Sequence, residues 1–339
     1  MAPDRPLALT IGDPAGIGPD VALGAWAARN RETIPPFVLI GDPAVLAARA
    51  RALSLKVPIV ELSEIGAGLG HFGDALPVLP IAGRGEVVAG RPNRSAASLV
   101  TQAIERAVTL VQERAARAVV TNPVSKAVLY GAGFPFPGHT EYLAALASPK
   151  GKPPHPVMML ASPLLRVVPV TIHVPLKDVP GLLTRELILA TLAITADSLT
   201  RYFGVKHPRL IVSGLNPHAG EEGSLGREEI DIIGPAIEMA RAKGLDIAGP
   251  CPADTLFHEE ARATYDAAIC MYHDQALVPF KTLSFEEGVN VTLGLPFIRT
   301  SPDHGTAFTL AGTGKASPSS LIEALRLAAA MSAQAEAKA

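Results

Sequence analysis

The stretch AAICMYHDQALVPFK (Ala267–Lys281) carries an apolar, strand-like run directly into His273 and Asp274, and Lys281 follows a few residues later. In open α/β sheets, ligands bind at the carboxyl ends of the strands, so a buried strand that ends in titratable side chains is a candidate for the floor of a site. What the stretch means therefore depends on whether other strands of the chain end in the same way.

Short apolar runs alternate with longer helical patterns along the chain. LALTIG is followed by VALGAWAARN, and SAASLVTQAIERAVTLVQERAARA is followed by AVVTNP. The runs VVPVTIH, RLIVSGL and AAICMYH continue this alternation, which is typical of a mostly parallel sheet with helices on its faces. We therefore predict an α/β fold. The length of 339 residues indicates two domains or one large unit with a cleft.

Composition and charge exclude several classes of protein. The chain is 48% hydrophobic and 18% charged with a net charge of −2, so nothing favours binding to nucleic acid or an anionic membrane. The apolar start is too short for a secretory signal, and charged residues interrupt the longest apolar stretches. We expect a soluble, cytoplasmic protein. Cys251 and Cys270 lack CxxC spacing, which argues against a disulfide framework or a thiolate zinc site.

The common nucleotide and metalloprotease motifs are incomplete in this sequence. GDPAGIGPD (Gly12–Asp20) lacks the third glycine of the dinucleotide fingerprint, because Val21 stands in its place. GTGKAS lacks the residues of a phosphate-binding loop, and FHEEAR lacks the second histidine of HExxH. A nucleotide cofactor would have to bind in another way.

Three histidines follow the ends of predicted parallel strands: His173 closes VVPVTIH, His218 follows RLIVSGL, and His273 closes AAICMYH. A single histidine in such a place is as often structural as functional. Three imidazoles with an open coordination position describe a catalytic site for zinc or a similar divalent ion. Their spacing matches no local motif, so the pattern favours a metal site without deciding it.

A second set of polar residues suggests an anionic substrate. Lys281, Asn290 and Arg299 are spaced by nine in an apolar, glycine-rich segment, although each alone is as well explained by a solvated loop. PGHTEYLAAL predicts a helix with Thr140 as its N-cap, whose free N–H groups could receive a phosphate or carboxylate. His139, just before the predicted cap, could add a donor.

Taken together, these motifs closely resemble the 4-hydroxythreonine-4-phosphate dehydrogenases of vitamin B6 biosynthesis, the PdxA family. The resemblance extends from about Leu7 to Leu325, with the motifs in the order of the family. They are GDPAGIGPD, TNPVSK, FPGHTE, IHVPL, SGLNPHAGEEGSLGREE, PADTLF, YHDQ and GVNVTLGLPFIRTSPDHGTA. One departure is Asp20, where glutamate is more familiar.

The resemblance implies a fold like that of the isocitrate and isopropylmalate dehydrogenases, with two α/β/α domains and an active site in the cleft between them. The first domain would comprise residues 1–130 and 295–339, and the second 131–294. It also implies a homodimer whose second subunit completes the site. Such a fold binds NAD or NADP without the dinucleotide fingerprint.

The resemblance also assigns roles to individual residues. The divalent metal (zinc, cobalt or magnesium) would bind to His173, His218 and His273, shared between subunits, and the substrate to His139, Thr140, Lys281, Asn290 and Arg299. Asp254 and Asp274 would support metal and substrate, with Lys281 or Asp274 as the proton acceptor or donor. SPDHGTA is the expected cofactor segment, with Ser301, Asp303, His304 and Gly305 as contacts.

The implied activity is oxidation of 4-phosphohydroxy-L-threonine at C3 followed by decarboxylation. A related dehydrogenase of another phosphorylated four-carbon acid, such as D-threonate or erythronate phosphate, would share nearly every motif. A phosphate acyltransferase on the same fold is a further alternative, and the three strand-end histidines argue against it.

Overall fold

The computed structural model describes residues 4–81, 87–148 and 151–338. The chain divides into two compact units, the first made of residues 1–156 and 295–333 and the second of 157–294 and 334–339. The structure thus assigns residues 131–156 to the first unit, whereas the sequence analysis assigned them to the second. The reason is packing: Tyr142 is buried and donates a 2.6 Å hydrogen bond to Glu105 of the first unit. Lys150, in the Gly/Pro-rich stretch that ends this segment, lies outside the described residues.

The first unit is built on six parallel strands in the order β3-β4-β2-β1-β5-β12. The strands are β1 (Leu7–Thr10), β2 (Phe37–Gly41), β3 (Ile59–Glu61), β4 (Leu76–Pro80), β5 (Val119–Thr121) and β12 (Arg299–Pro302). The helices are α1 (Gly18–Ala28), α2 (Pro43–Ala52), α3 (Gly68–His71), α4 (Ala97–Gln112), α5 (Lys126–Gly131), α6 (His139–Ala147) and α12 (Ser319–Glu336), of which the last residues count with the second unit.

The second unit contains six strands in the order β11-β6-β7-β10-β8-β9. The strands are β6 (Val157–Ala161), β7 (Arg166–Pro169), β8 (Arg209–Ser213), β9 (Asp246–Cys251), β10 (Ala267–Cys270) and β11 (Val289–Leu293). The helices are α7 (Val179–Leu182), α8 (Arg185–Phe203), α9 (Gly234–Arg241), α10 (Glu259–Arg262) and α11 (His273–Leu283). Strand β6 pairs antiparallel with both neighbours, while β7, β10, β8 and β9 run parallel. The predicted α/β fold is confirmed.

The sequence explains where these elements form and end. Strands β1 and β2 are buried along their whole length, as expected of parallel strands covered on both faces, which is why they read as unbroken apolar runs. Helix α8 begins after Thr184, whose hydroxyl accepts a hydrogen bond from the Leu187 N–H, and ends at Gly204 in the left-handed conformation. No single helix in the described part of the chain is long and apolar enough to cross a membrane. Among the described residues, 176–182 and 185–203 reach that length and composition only as a pair, and they are bent by 91° at their junction.

A buried ion pair anchors the glycine-rich loop between β1 and α1. The side chains of Arg49 and Asp20 are only 4% and 3% exposed and contact each other directly. Arg49 also donates to the carbonyls of Gly16 and Pro14, at 2.9 and 3.0 Å, and Asp20 accepts from the Gly312 N–H at 2.7 Å. The pair therefore joins α1, α2 and the chain near residue 312.

We expect Asp20→Asn to lower the free energy of unfolding by about 3–5 kcal/mol, because it leaves the buried Arg49 charge without its partner. The matched control is Glu238→Gln, which removes a carboxylate that is 69% exposed and pairs with Arg241; its cost should stay below about 1 kcal/mol. Urea denaturation of the two variants measures the difference. Equal costs would contradict an anchoring role for the pair.

Candidate active site

In the second unit, the three strand-end histidines lie at one edge of the sheet. Strand β10 pairs in parallel with β7 on one side and with β8 on the other. His173, His218 and His273 lie three to five residues beyond the ends of β7, β8 and β10. The carboxyl ends of three adjacent parallel strands thus present all three imidazoles.

The strand predicted to run into His273 ends earlier. Strand β10 stops at Cys270, and His273 is the first residue of α11. Lys281 lies eight residues further along this helix, which places its Cα about 12 Å from that of His273. His273 and Lys281, predicted as a metal ligand and a substrate contact, thus lie on one helix, about two turns apart.

His173 and His273 share a pocket of about 230 Å³. Their ring centroids are 5.4 Å apart. The other lining residues are Thr171, Val174, Leu176, Val179, Tyr272 and Asp274. The pocket combines an apolar wall with two imidazoles and one carboxylate, a composition typical of small-ligand and metal sites.

Asp274 holds the His273 ring. Its Oδ1 lies 2.7 Å from His273 Nδ1, so an Nδ1–H that donates to the carboxylate leaves the Nε2 lone pair available. A carboxylate bound to the far nitrogen of a histidine is the usual partner of a metal-ligating imidazole, since it fixes the tautomer and raises the basicity of the ring.

His218 lies in an unusual backbone turn. The five residues from His218 to Glu222 all have positive φ, between +43° and +81°, and only Gly220 among them is a glycine. His173 is also left-handed, with φ of +51°. Because this conformation costs about 1–2 kcal/mol for each residue other than glycine, it persists only where the surroundings enforce it, as at many functional sites.

Glu229 stabilises the start of this turn. It is buried, and its Oε1 accepts hydrogen bonds from the backbone N–H groups of Leu215 and Asn216 at 2.7 and 2.8 Å. Its Oε2 accepts from Asn216 Nδ2 at 3.0 Å. A Cβ on Gly220 would lie only 2.6 Å from Glu229 Oε2, so glycine is needed for the turn to pack against this carboxylate.

The donor chemistry of these residues fits a divalent metal, because imidazole nitrogens with a supporting carboxylate suit zinc and cobalt. Among residues 4–81, 87–148 and 151–338, however, no group of three or more His, Cys, Asp or Glu side chains is placed to hold an ion. One chain therefore brings His173 and His273 into one pocket, while His218 stands on its own turn. Asp254 lies beside that turn, exposed, in the short 3-10 helix Ala253–Thr255.

The first unit contains a second cluster of predicted site residues. Arg299, the first residue of β12, is buried, and its Nη2 donates to Thr121 Oγ1 at 2.7 Å and lies 3.4 Å from His139 Nδ1. Burial lowers the pKa of the Arg299 guanidinium to about 10. Burial, and next the nearby Arg299 charge, hold the pKa of His139 well below its usual 6.5.

These contacts fix the state of the His139 ring. Arg299 can only donate, so His139 Nδ1 must accept and the proton must sit on Nε2. This buried Nε2 has no hydrogen-bond partner within the described residues. A neutral imidazole with an unused N–H donor beside a buried guanidinium is suited to bind an anion.

The start of α6 differs from the predicted one. The N-cap is Gly138 rather than Thr140, and the helix already begins at His139. Gly138 is extended, with φ of −167°, and a Cβ there would lie 2.7 Å from Glu141 Oε2. Thr140 is therefore a first-turn residue, with its N–H still among those left free at a helix start.

The predicted cofactor segment lies against the glycine-rich loop. Thr306 accepts a hydrogen bond from the Ile17 N–H at 3.0 Å, and a Cβ on Gly16 would lie 2.8 Å from the Thr306 carbonyl. Within the segment, Ser301 is buried in β12, Asp303 N–H donates to Ser320 Oγ, and His304 Nδ1 lies 3.1 Å from the carbonyl of the exposed Gly305. The loop rejected as a dinucleotide fingerprint is thus bonded to the segment chosen for the cofactor. Asn290 lies in β11 of the second unit.

Sequence reasoning missed several polar residues of these edges. Asp13 is buried beside Pro123, its Oδ2 has no partner in the described chain, and burial raises the pKa of its carboxyl. Thr121 orients Arg299, and Glu229 supports the His218 turn. The signal available for Asp13 and Thr121 was their place at the ends of β1 and β5; none existed for Glu229.

Comparison with known proteins identifies relatives over the whole chain. A model of the family described as pyridoxal phosphate biosynthetic protein PdxA matches residues 32–328. The chain is 56% identical over 339 residues to a 4-hydroxythreonine-4-phosphate dehydrogenase from Xanthobacter autotrophicus, covering 100% of this chain and 96% of the relative. It is 58% identical over 328 residues to a protein of the same name from Methylorubrum populi, covering 96% and 94% of the two chains. The crystal structure of a 4-hydroxythreonine-4-phosphate dehydrogenase from Klebsiella pneumoniae matches with a TM-score of 0.86 and 35% identity, covering 98% of this chain and 99% of that one.

We expect His139 to stay neutral, with its proton on Nε2, as the pH falls through 6.5, because burial and Arg299 oppose its charge. Nitrogen-15 NMR of the imidazoles measures this, with His139→Gln assigning the resonance. Between the folded and unfolded pKa values the unfolded chain binds more protons, so His139 costs stability as the pH falls below 6.5. His139→Gln should therefore lose less stability than the wild type over this range. A ring that titrates near its ordinary pKa would contradict this assignment.

Proposed function

This chain belongs to the family of pyridoxal phosphate biosynthetic protein PdxA, and from that premise we propose that it oxidises 4-phosphohydroxy-L-threonine at C3 with NAD or NADP. The dehydrogenase role follows from the family. We propose in addition the substrate, the cofactor, a divalent metal and a decarboxylation step. We place the reaction in the cytoplasm.

The proposed reaction has two steps, an oxidation and a decarboxylation. The C3–H bond breaks and its hydride passes to the oxidised nicotinamide, while the 3-hydroxyl proton passes to a base, which gives a β-keto acid. The bond between C2 and the carboxylate carbon then breaks, so that CO2 leaves and the bonding electrons stay on C2. C2 takes up a proton to give 3-amino-2-oxopropyl phosphate. A bound divalent metal would lower the pKa of the hydroxyl and stabilise negative charge on its oxygen.

The observation that carries the proposal is the placement of His173, His218 and His273 at the ends of three adjacent parallel strands. Asp274 supports it, because its contact with His273 Nδ1 leaves Nε2 free for a ligand. A phosphate acyltransferase would have no use for three imidazoles at this edge.

Binding of the substrate phosphate is assigned to the Arg299 cluster. Arg299 supplies charge, and the His139 Nε2–H and the start of α6 at Thr140 supply neutral donors. Lys281 and Asn290 remain predicted contacts of the substrate. The proton acceptor is Lys281 or Asp274, and Asp274 has the supporting contact with the histidine pocket.

We further propose that the metal site is completed by a second copy of the chain. One chain brings only two of the three histidines into one pocket. Apolar side chains stand exposed on this unit: Leu176 (66%) lines the pocket, and Val278 (62%) and Phe285 (74%) lie on or just after α11. A surface of this composition is typical of an interface between subunits.

Metal-stripped protein given 4-phosphohydroxy-L-threonine and NAD should form NADH only after zinc, cobalt or magnesium is added. His218→Ala should lower kcat by more than about a hundredfold, because it removes a ligand rather than a supporting residue. NADH absorbance measures turnover, and circular dichroism shows that the variant is folded.

His207→Ala, an exposed histidine of the second unit outside the site, is the matched control and should keep wild-type turnover. A folded protein that stays silent with every metal would contradict the proposed substrate. D-threonate and D-erythronate phosphates would then be tried with the same assay, and phosphate acyl transfer after them.

Sharing of the site predicts complementation between two inactive variants. When His218→Ala and His273→Ala chains form mixed dimers, one of the two sites regains a full set of histidines. Random mixing should then restore about a quarter of wild-type activity, since half of the dimers are mixed and each has one intact site. Activity that stays at the level of the separate variants would show that these two histidines do not come from different chains.

A further inference from the structure

The pairing between β8 and β10 ends before the chain reaches the histidines. The last paired residues are Val212 and Ile269. Beyond them the strands give way to the turn that carries His218 and to the helix start that carries His273. Backbone hydrogen bonds of the ladder therefore do not fix the separation of these two segments.

Gln275, the last residue of the YHDQ motif, lies between these two segments. Its side chain is buried, with 9% of the residue exposed. Its Oε1 accepts from the Met271 N–H at 2.6 Å and from Ser213 Oγ at 2.7 Å, and its Nε2 donates to the Gly214 carbonyl at 2.8 Å. A primary amide offers the same acceptor and donor as a peptide group, so Gln275 takes the place of one peptide unit between the segments that follow β8 and β10.

The backbone of Met271 also bonds the loop that carries His173. Its carbonyl accepts from Thr171 Oγ1 at 2.8 Å and from the Thr171 N–H at 3.3 Å. Thr171 lies two residues before His173. The loops of all three histidines are therefore joined by hydrogen bonds through Met271, and Gln275 supplies the connection to the His218 turn.

We propose that Gln275 is a positioning residue: it fixes the His218 turn relative to the start of α11 and so sets where both imidazoles are presented. The inference rests on the proposed function in taking these histidines as metal ligands. Gln275 would contact neither the substrate nor the reacting atoms. A buried amide is costly unless its hydrogen bonds are made, and here all three bonds go to the two segments that carry the histidines.

Gln275→Met tests the proposal, because methionine fills a similar volume and makes none of the three hydrogen bonds. We expect the affinity for Co²⁺, measured without substrate by competition with a chromophoric chelator, to fall about 10–100-fold, the range seen for residues that orient metal ligands. Ser213→Ala keeps the bridge from Met271 to Gly214 and should stay within about threefold of wild type. Gln102→Met, an exposed glutamine of the first unit, is the matched control.

The outcomes separate this inference from the proposed function. If the wild type binds Co²⁺ and Gln275→Met binds it equally well, the positioning role is overturned and the metal site stands. If the wild type binds no metal, the proposed metal site is wrong, and NMR then tests the positioning role separately. Changed imidazole shifts of His218 and His273 in Gln275→Met, with none in Gln102→Met, would support it, and unchanged shifts would overturn it.

A second variant covers the case in which Gln275→Met fails to fold. Thr171→Val keeps the shape of the side chain and removes only the hydroxyl that donates to the Met271 carbonyl. It should also weaken Co²⁺ binding, since it loosens the His173 loop from the backbone of Met271, the residue that Gln275 also bonds. Wild-type affinity in this folded variant would overturn the proposal.

Discussion

The hydrogen bonds of the Met271 backbone are the constraint that joins the loops carrying the three strand-end histidines of the second unit. A parallel ladder aligns strands only as far as its last backbone pair, and the three strand-end histidines lie beyond that point. The chain solves this with side chains that imitate the backbone: an amide at Gln275 and a hydroxyl at Thr171 continue the pairing into the loops. Every imidazole of the site is then presented from a loop tied to its neighbour.

The first unit uses a different solution for the same problem. Its glycine-rich loop packs against the segment after β12 through close backbone contacts that require glycine at position 16. The buried Arg49–Asp20 ion pair holds the same loop. In the first unit, a charged pair rather than a side-chain amide provides the hydrogen bonds that hold the loop. In both units, buried polar side chains thus hold loops that lie beyond the ends of the strands.

Much of this arrangement could be predicted from the sequence. Apolar runs that end in histidine predicted the edge at which His173, His218 and His273 lie, because burial and parallel pairing leave the strand ends as the place for polar residues. The family resemblance is confirmed by the relatives and the matching structure. The start of α6 was misplaced by two residues because threonine is a stronger capping type than glycine, whereas the helix begins after the extended Gly138. No local pattern could show that Glu229 would hold the His218 turn or that Arg299 would set the tautomer of a histidine 160 residues away, because tertiary packing creates both contacts.

The left-handed turn at His218 has a consequence for how the sequence can change. Ala219, Glu221 and Glu222 each hold a backbone conformation that glycine would adopt with less strain. A change to glycine at these positions would relieve the folded state but widen the range of conformations open to the turn. The non-glycine residues therefore limit the conformations of the turn that carries His218, at a cost in backbone strain. The turn thus holds His218 in one geometry at a cost of about 1–2 kcal/mol for each residue other than glycine.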